Sequence, residues 1–324
     1  MKKKLLSLAL AGIICTSLSI PAMATNADAA IDEDTTASID TNVVTSEPTV
    51  THELDAYFEW KTLRDSGVET YTDDSEQASL YEDFDLEAAV YERSQLPEDV
   101  LRAYGYSDER IQILKAYNGE EILPNSEIAV AAQASMTTYF SSGTHTTTAY
   151  QIRYVWTWDV PPLITGADNE VVGLSWSAFN SSGINFGSTI KSRAATVTYY
   201  PTSGSGPMRI DEPATEPDGH MISCTFPAQV RDQNGSYYGR TGTITVNIAP
   251  LGTAKFDSVR AQGLYVNSTA KVAVKLTISA SIDVVDMQVK FKAGAGASIS
   301  IEQAAKQYGK IQAIIYTNGQ IVNE

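Results

Sequence analysis

Carboxylates crowd into one short segment, Asp211-Glu212-Pro213-Ala214-Thr215-Glu216-Pro217-Asp218-Gly219-His220. Asp211, Glu216 and Asp218 carry the hard oxygen donors that Ca²⁺ takes, which makes them candidate metal ligands and Ca²⁺ the candidate cofactor. Their spacing is not that of an EF-hand loop, and Pro213 and Pro217 stiffen the segment. A solvated acidic loop closing the connection that begins at Pro201 has the same composition. Asp168-Asn169-Glu170 is a second carboxylate group. Either group has the residue types of a glycosidase pair, but sequence spacing does not set the carboxyl separation that such chemistry needs.

Other catalytic patterns are missing. His52, His145 and His220 are the only histidines, and no two share a helical turn as metallopeptidase ligands do. Gly173-Leu174-Ser175-Trp176-Ser177 opens like a nucleophile elbow but lacks the closing glycine and lies in a strand pattern. No glycine-rich phosphate loop precedes a helix. Cys224 alternates with Ile222 and Phe226, which predicts a buried and inert thiol. No catalytic residue is assigned. Tyr154, Trp156 and Trp158, joined by Trp176, have two readings: a flat platform for sugar rings, or the core of a sheet.

The elements that would position these residues are strands. From about Glu127 the apolar period is two: Tyr150, Ile152, Tyr154, Trp156 and Trp158 share one face, and Val172, Leu174 and Trp176 repeat the pattern. Further strands are expected at Ala195–Tyr200, Met221–Val230, Tyr237–Ile248, Phe256–Val266, Ala270–Ser281, Val284–Lys292, Ala297–Ile301 and Ile311–Tyr316, with a lone helix at Glu302–Tyr308. Asn234-Gly235 marks a hairpin turn. Without crossover helices the sheet should be antiparallel. The expected fold is mainly β, an immunoglobulin-like sandwich or a partly open barrel. Ala270–Ser281 and Val284–Ile301 also alternate apolar residues with Lys, Ser, Thr and Gly, as membrane-barrel hairpins do. A sandwich strand with one wet face alternates in the same way.

Helical spacing precedes the strands, in His52–Ser66 and Phe84–Ser94. In Leu96–Gly119, Glu98 and Asp99 start a helix that Gly105 stops; Ser107 then caps a second helix ended by Asn118-Gly119. This helical hairpin is a structural or a docking shape.

Charge divides the chain at the same place. Residues 25–135 hold 26 acidic and 6 basic residues, whereas residues 136–324 hold 13 and 14, so the negative excess belongs to the first third. The expected organisation is residues 1–24 a signal peptide, 25–51 a disordered acidic, Thr-rich tail, 52–126 a small acidic helical module containing the hairpin 96–119, and 127–324 the β domain.

Lys2-Lys3-Lys4, an apolar run from Leu5 to Ile20, and Ala22-Met23-Ala24 follow the order of a cleaved secretory leader, with processing after Ala24. Export would leave Cys224 as the single thiol, unable to form an internal disulfide. The formal charge of −16 argues against nucleic acid as a partner, since phosphate binding needs clustered Lys and Arg. No transmembrane segment is expected after leader removal. These readings converge on a secreted, non-enzymatic bacterial protein, a binding or interaction module for an extracellular protein or an envelope glycan. The alternatives are a secreted carboxylate-dependent hydrolase and a β pore-forming protein.

Overall fold

The computed structural model describes residues 43–66, 84–164, 169–201, 206–233, 235–267, 273–280, 285–292 and 309–324. The expected leader 1–24, residues 25–42 of the expected tail, the strand at 297–301 and the helix at 302–308 lie outside them.

Two antiparallel sheets carry the fold, which is mainly β and sandwich-like. Sheet 1 runs β1 (Val44–Thr45), β3 (Ser135–Ser142), β4 (Tyr150–Trp158), β12 (Gly235–Pro250), β7 (Ser188–Pro201), β8 (Met208–Glu212). Within it β2 (Thr49–His52) also pairs with β3, and β11 (Gln229–Asp232) with β12. Sheet 2 runs β17 (Ile321–Asn323), β16 (Ile311–Tyr316), β13 (Ser258–Asn267), β5 (Asn169–Phe179), β10 (Met221–Pro227), β9 (Ala214–Asp218), with β6 (Asn185–Phe186) on β5. A separate hairpin, β14 (Ala273–Ala280) with β15 (Val285–Lys292), joins neither sheet by backbone pairing among the described residues.

The two-residue period of β4 explains the packing. Tyr150, Ile152, Tyr154, Trp156 and Trp158 are all buried toward sheet 2, as are Val172, Leu174 and Trp176 of β5 toward sheet 1. Trp156 stacks on Phe226 of β10 with ring centroids 5.7 Å apart. It also lies 5.7 Å from Tyr265 of β13, so one indole bridges the two sheets. Gly242 and Gly263 let the sheets close: a Cβ at either position would fall into the Trp156 or the Tyr154 ring.

Five helices precede or flank these strands among the described residues: α1 (Glu53–Asp65), α2 (Leu86–Gln95), α3 (Glu98–Tyr104), α4 (Asp108–Ala116) and α5 (Glu127–Ala132). Ser107 caps α4 by accepting the Arg110 N–H, and Gly105 ends α3 at φ 101°, a left-handed conformation that glycine adopts with no Cβ clash. The helices do not stand apart as a small module. Leu54, Tyr57, Leu86, Val90 and Leu101 belong to the same hydrophobic cluster as Met136, Tyr154 and Trp158. Polar ties reinforce this. Arg93 donates to the Pro161 and Pro162 carbonyls, and Tyr238 donates to the Tyr104 carbonyl at 2.8 Å. Arg110 binds Asp159 at 2.8 Å and the Ala131 carbonyl at 2.8 Å. The buried Glu53 carboxylate accepts from the Ala134 and Ile164 amides.

Three further departures from the sequence reading have physical reasons. Residues 43–51, expected as disordered, form an edge strand with one irregularity, since β1 and β2 both pair with β3. Ser46 secures the irregularity: its hydroxyl accepts the Phe140 N–H, and its own N–H donates to the Phe140 carbonyl. Residues 127–132, expected within the β region, form α5, capped by Ser126 through the Ala129 N–H. The expected acidic loop at 211–220 consists of two strands, β8 and β9, at the edges of different sheets. The chain changes sheet at Pro213, where a missing N–H costs no ladder bond.

Candidate functional site

The change of sheet at Pro213 decides the fate of the metal candidates. Asp211 sits on β8, its side chain 82% exposed, accepting from the Thr196 hydroxyl at 2.9 Å. Glu216 sits on β9 and pairs with Arg193 at 2.7 Å. Asp218 ends β9 opposite Met221, with its side chain outside the described residues. Two of the three carboxylates are therefore occupied separately. Among the described residues no three His, Cys, Asp or Glu side chains gather as a metal would require.

Glu170 is different. It lies at the start of β5, opposite Phe226 and Asn267, and is buried between the sheets. The Tyr265 phenol is its hydrogen-bonding neighbour, while Oε2 has no partner among the described residues. Desolvation pushes the carboxyl up to about 8, against a small opposing effect of the phenol. It is therefore mainly protonated at neutral pH. Asp168, its expected companion, lies outside the described residues.

The remaining polar candidates have structural surroundings. Cys224 is buried, and desolvation followed by the nearby Glu212 charge pushes its thiol up to about 12. Ser175 is buried within β5, away from any exposed turn. His52 bonds the Ser135 hydroxyl at 2.9 Å, His145 bridges to Tyr150, and the His220 carbonyl accepts the Trp176 N–H. Tyr154, Trp156, Trp158 and Trp176 are fully enclosed. They build the core and present no platform.

A concave surface lies among the helices. The turn from α4 through residues 117–126 into α5 encloses an open groove of about 540 Å³. Half-buried Ile113 and Ile128 form its apolar floor, and Leu123 stands in it 57% exposed. Glu120, Glu121 and Glu127 line its rim. No cation pairs with any of the three among the described residues.

Local bonds hold this shape. The Tyr117 hydroxyl donates to the Glu120 carbonyl at 2.7 Å, and the Ile122 N–H donates to Glu87 at 3.1 Å. Ile122 is thereby turned inward and Leu123 outward. Asn125 takes φ 59°, a left-handed conformation that asparagine tolerates, and delivers the chain to the Ser126 cap. The carboxylates also make a negative field: burial, then Glu87 and Glu120, raise the Tyr117 phenol above its ordinary value. The local pattern of residues 96–119 displays the hairpin but not the groove, whose far wall belongs to α5. An available signal was Leu123, an apolar residue between Glu120-Glu121 and the turn at Pro124-Asn125.

No protein-family model matches the chain. No curated protein matches it either. A solved structure described as "AvmM Catalyzes Macrocyclization in Alchivemycin A Biosynthesis" is similar over 47% of this chain and 84% of that one, at 8% identity and a TM-score of 0.18. Likeness at that level carries no argument here.

Proposed function

We propose that this is a secreted, non-enzymatic interaction protein. A β-sandwich of immunoglobulin-like style serves as its rigid support, and the groove between α4 and α5 is its recognition surface. One observation carries this reading: Leu123 is held exposed among Glu120, Glu121 and Glu127, with no basic side chain of the described residues to neutralise them. An apolar floor with an acidic rim complements a cationic segment carrying a bulky apolar side chain. The partner is thus a basic extracellular protein segment, and the acidic first third of the chain favours its approach at low salt.

Calorimetric titration with a synthetic lysine–leucine peptide tests the reading. The expected result is saturable binding that weakens as salt rises, and weakens at least tenfold in Leu123→Arg with unchanged thermal unfolding. Binding that is indifferent to Leu123→Arg and to Glu121→Lys would reject the groove.

A further inference from the structure

The hairpin β14–β15 alternates regularly along both of its strands. Its register pairs Val274 with Phe291, Leu276 with Val289, Ile278 with Met287 and Ala280 with Val285. The alternate positions pair Ala273 with Lys292, Lys275 with Lys290, Thr277 with Gln288 and Ser279 with Asp286. Apolar residues thus oppose apolar residues at every second rung, and each pair between them carries at least one polar residue. Since residues of like parity share a strand face, the hairpin has one apolar and one polar face along its whole length. The sequence continues the alternation beyond the strand ends, from Ala270 to Ile282 and from Val285 to Ile301.

This pattern alone describes any half-wet strand. The topology separates the two meanings, because the hairpin is hydrogen-bonded to neither sheet among the described residues. It lies instead against β5, β9 and β13 of sheet 2. On the faces of β5, β10 and β13 turned away from sheet 1, Val171, Met221, Leu264 and Val266 are buried although they take no part in the central cluster. The hairpin therefore lies beside an apolar outer face with no ladder to it among the described residues. Such an element can leave without breaking a sheet.

We propose that β14–β15 is a membrane-inserting hairpin, which leaves sheet 2 and enters an anionic lipid bilayer as part of a closed β-barrel made with other copies of this chain. Each step has a physical reason. Alternation of lipid-facing apolar and lumen-facing polar residues is what a barrel wall requires. A tilted spanning strand needs roughly nine to eleven residues, and both alternating runs are longer than that. A lone hairpin would leave its outer N–H and C=O groups unpaired in hydrocarbon, so copies must join edge to edge until no edge remains. Lys275, Lys290 and Lys292 outnumber Asp286 in the hairpin, which favours anionic headgroups. Lys275 and Lys290 are register partners, and like charges at paired positions are favoured where a watery lumen solvates them. Departure of the hairpin also frees Val171, Leu264 and Val266 for contact with a neighbouring copy. The inference goes beyond the groove reading and does not depend on it.

The test uses the full chain with Cys15→Ala and Cys224→Ala and single cysteines at 276, 277, 278, 288 or 289, each labelled with an environment-sensitive fluorophore. Vesicles of phosphatidylcholine containing phosphatidylglycerol and a trapped dye are added, with phosphatidylcholine vesicles as the control. The expected result is a blue shift for Leu276→Cys, Ile278→Cys and Val289→Cys but not for Thr277→Cys or Gln288→Cys, together with dye release from the anionic vesicles. No spectral change at any position, or a change without alternation, would overturn the proposal, and dye release without alternation would do so too by placing the perforating element elsewhere. Circular dichroism of each labelled variant before lipid is added identifies any that failed to fold, and the remaining positions of the same parity then decide.

Discussion

Gly263 of β13 lies against the ring of Tyr154 on the facing strand β4, so closely that a Cβ at 263 would enter the ring. Tyr154 is not free to move aside, because its hydroxyl donates to the Gly309 carbonyl at 2.8 Å and its ring lies beside Phe140 and Trp156. Gly263→Ala should therefore destabilise the protein by about 1–3 kcal/mol or more, as overpacking does. Gly206, with open space around it, provides the control: Gly206→Ala should stay within about 0.5 kcal/mol. Urea unfolding of the two variants checks the pair.

Trp156→Ala should cost about 3–5 kcal/mol, because the indole is fully buried and bridges both sheets through Phe226 and Tyr265. Binding to polysaccharide should not depend on this residue except through unfolding. A variant with unchanged melting temperature would contradict the core assignment.

Glu170 makes stability depend on pH in an unusual direction. In the unfolded chain its carboxyl ionises near 4.5, whereas in the folded protein it does so at about 8. Between those values the folded protein keeps a proton that the unfolded chain releases. Stability is thus fully present below about 4.5 and falls as pH rises toward 8, by up to about 1.4 kcal/mol per pH unit. Glu170→Gln should remove this slope and raise the melting temperature at pH 8. Thermal unfolding across that window measures both.

Cys224 should resist a water-soluble thiol reagent in the native protein and react fully in denaturant. Its burial denies access, and a thiol pushed up to about 12 supplies almost no thiolate at neutral pH. Fast modification before unfolding would mean that the inner face of β10 is accessible.

What the sequence disclosed depended on whether a segment's signals were local. Ser107 and Gly105 announce the ends of their helices through their own backbone needs, and the Tyr150–Trp158 alternation announces a half-buried strand. β8 and β9 have the composition of a loop because both are edge strands, where prolines and charges are tolerated and even favoured. The short β1 and β2 were hidden for the same reason. The pairing of Glu216 with Arg193 and the sharing of one cluster by Leu54 and Trp158 depend on contacts distant in sequence, which no window along the chain displays. The groove was missed because its two walls come from separate helices, only one of which had a recognisable pattern.

The pairing of Ser46 with Phe140 bears on how the chain reaches this state. The two residues stand 94 positions apart, and the Tyr150 hydroxyl finds the Ile315 carbonyl across 165. The first edge strand must therefore wait for β3, and the inner face of β4 must wait for β16. Loop-closure entropy is spent on these distant contacts before they return any stability, so folding should be slow compared with that of a helical bundle of equal size. A chain assembled in this order leaves its first edge strand without a partner until residues 135–142 have been made and placed.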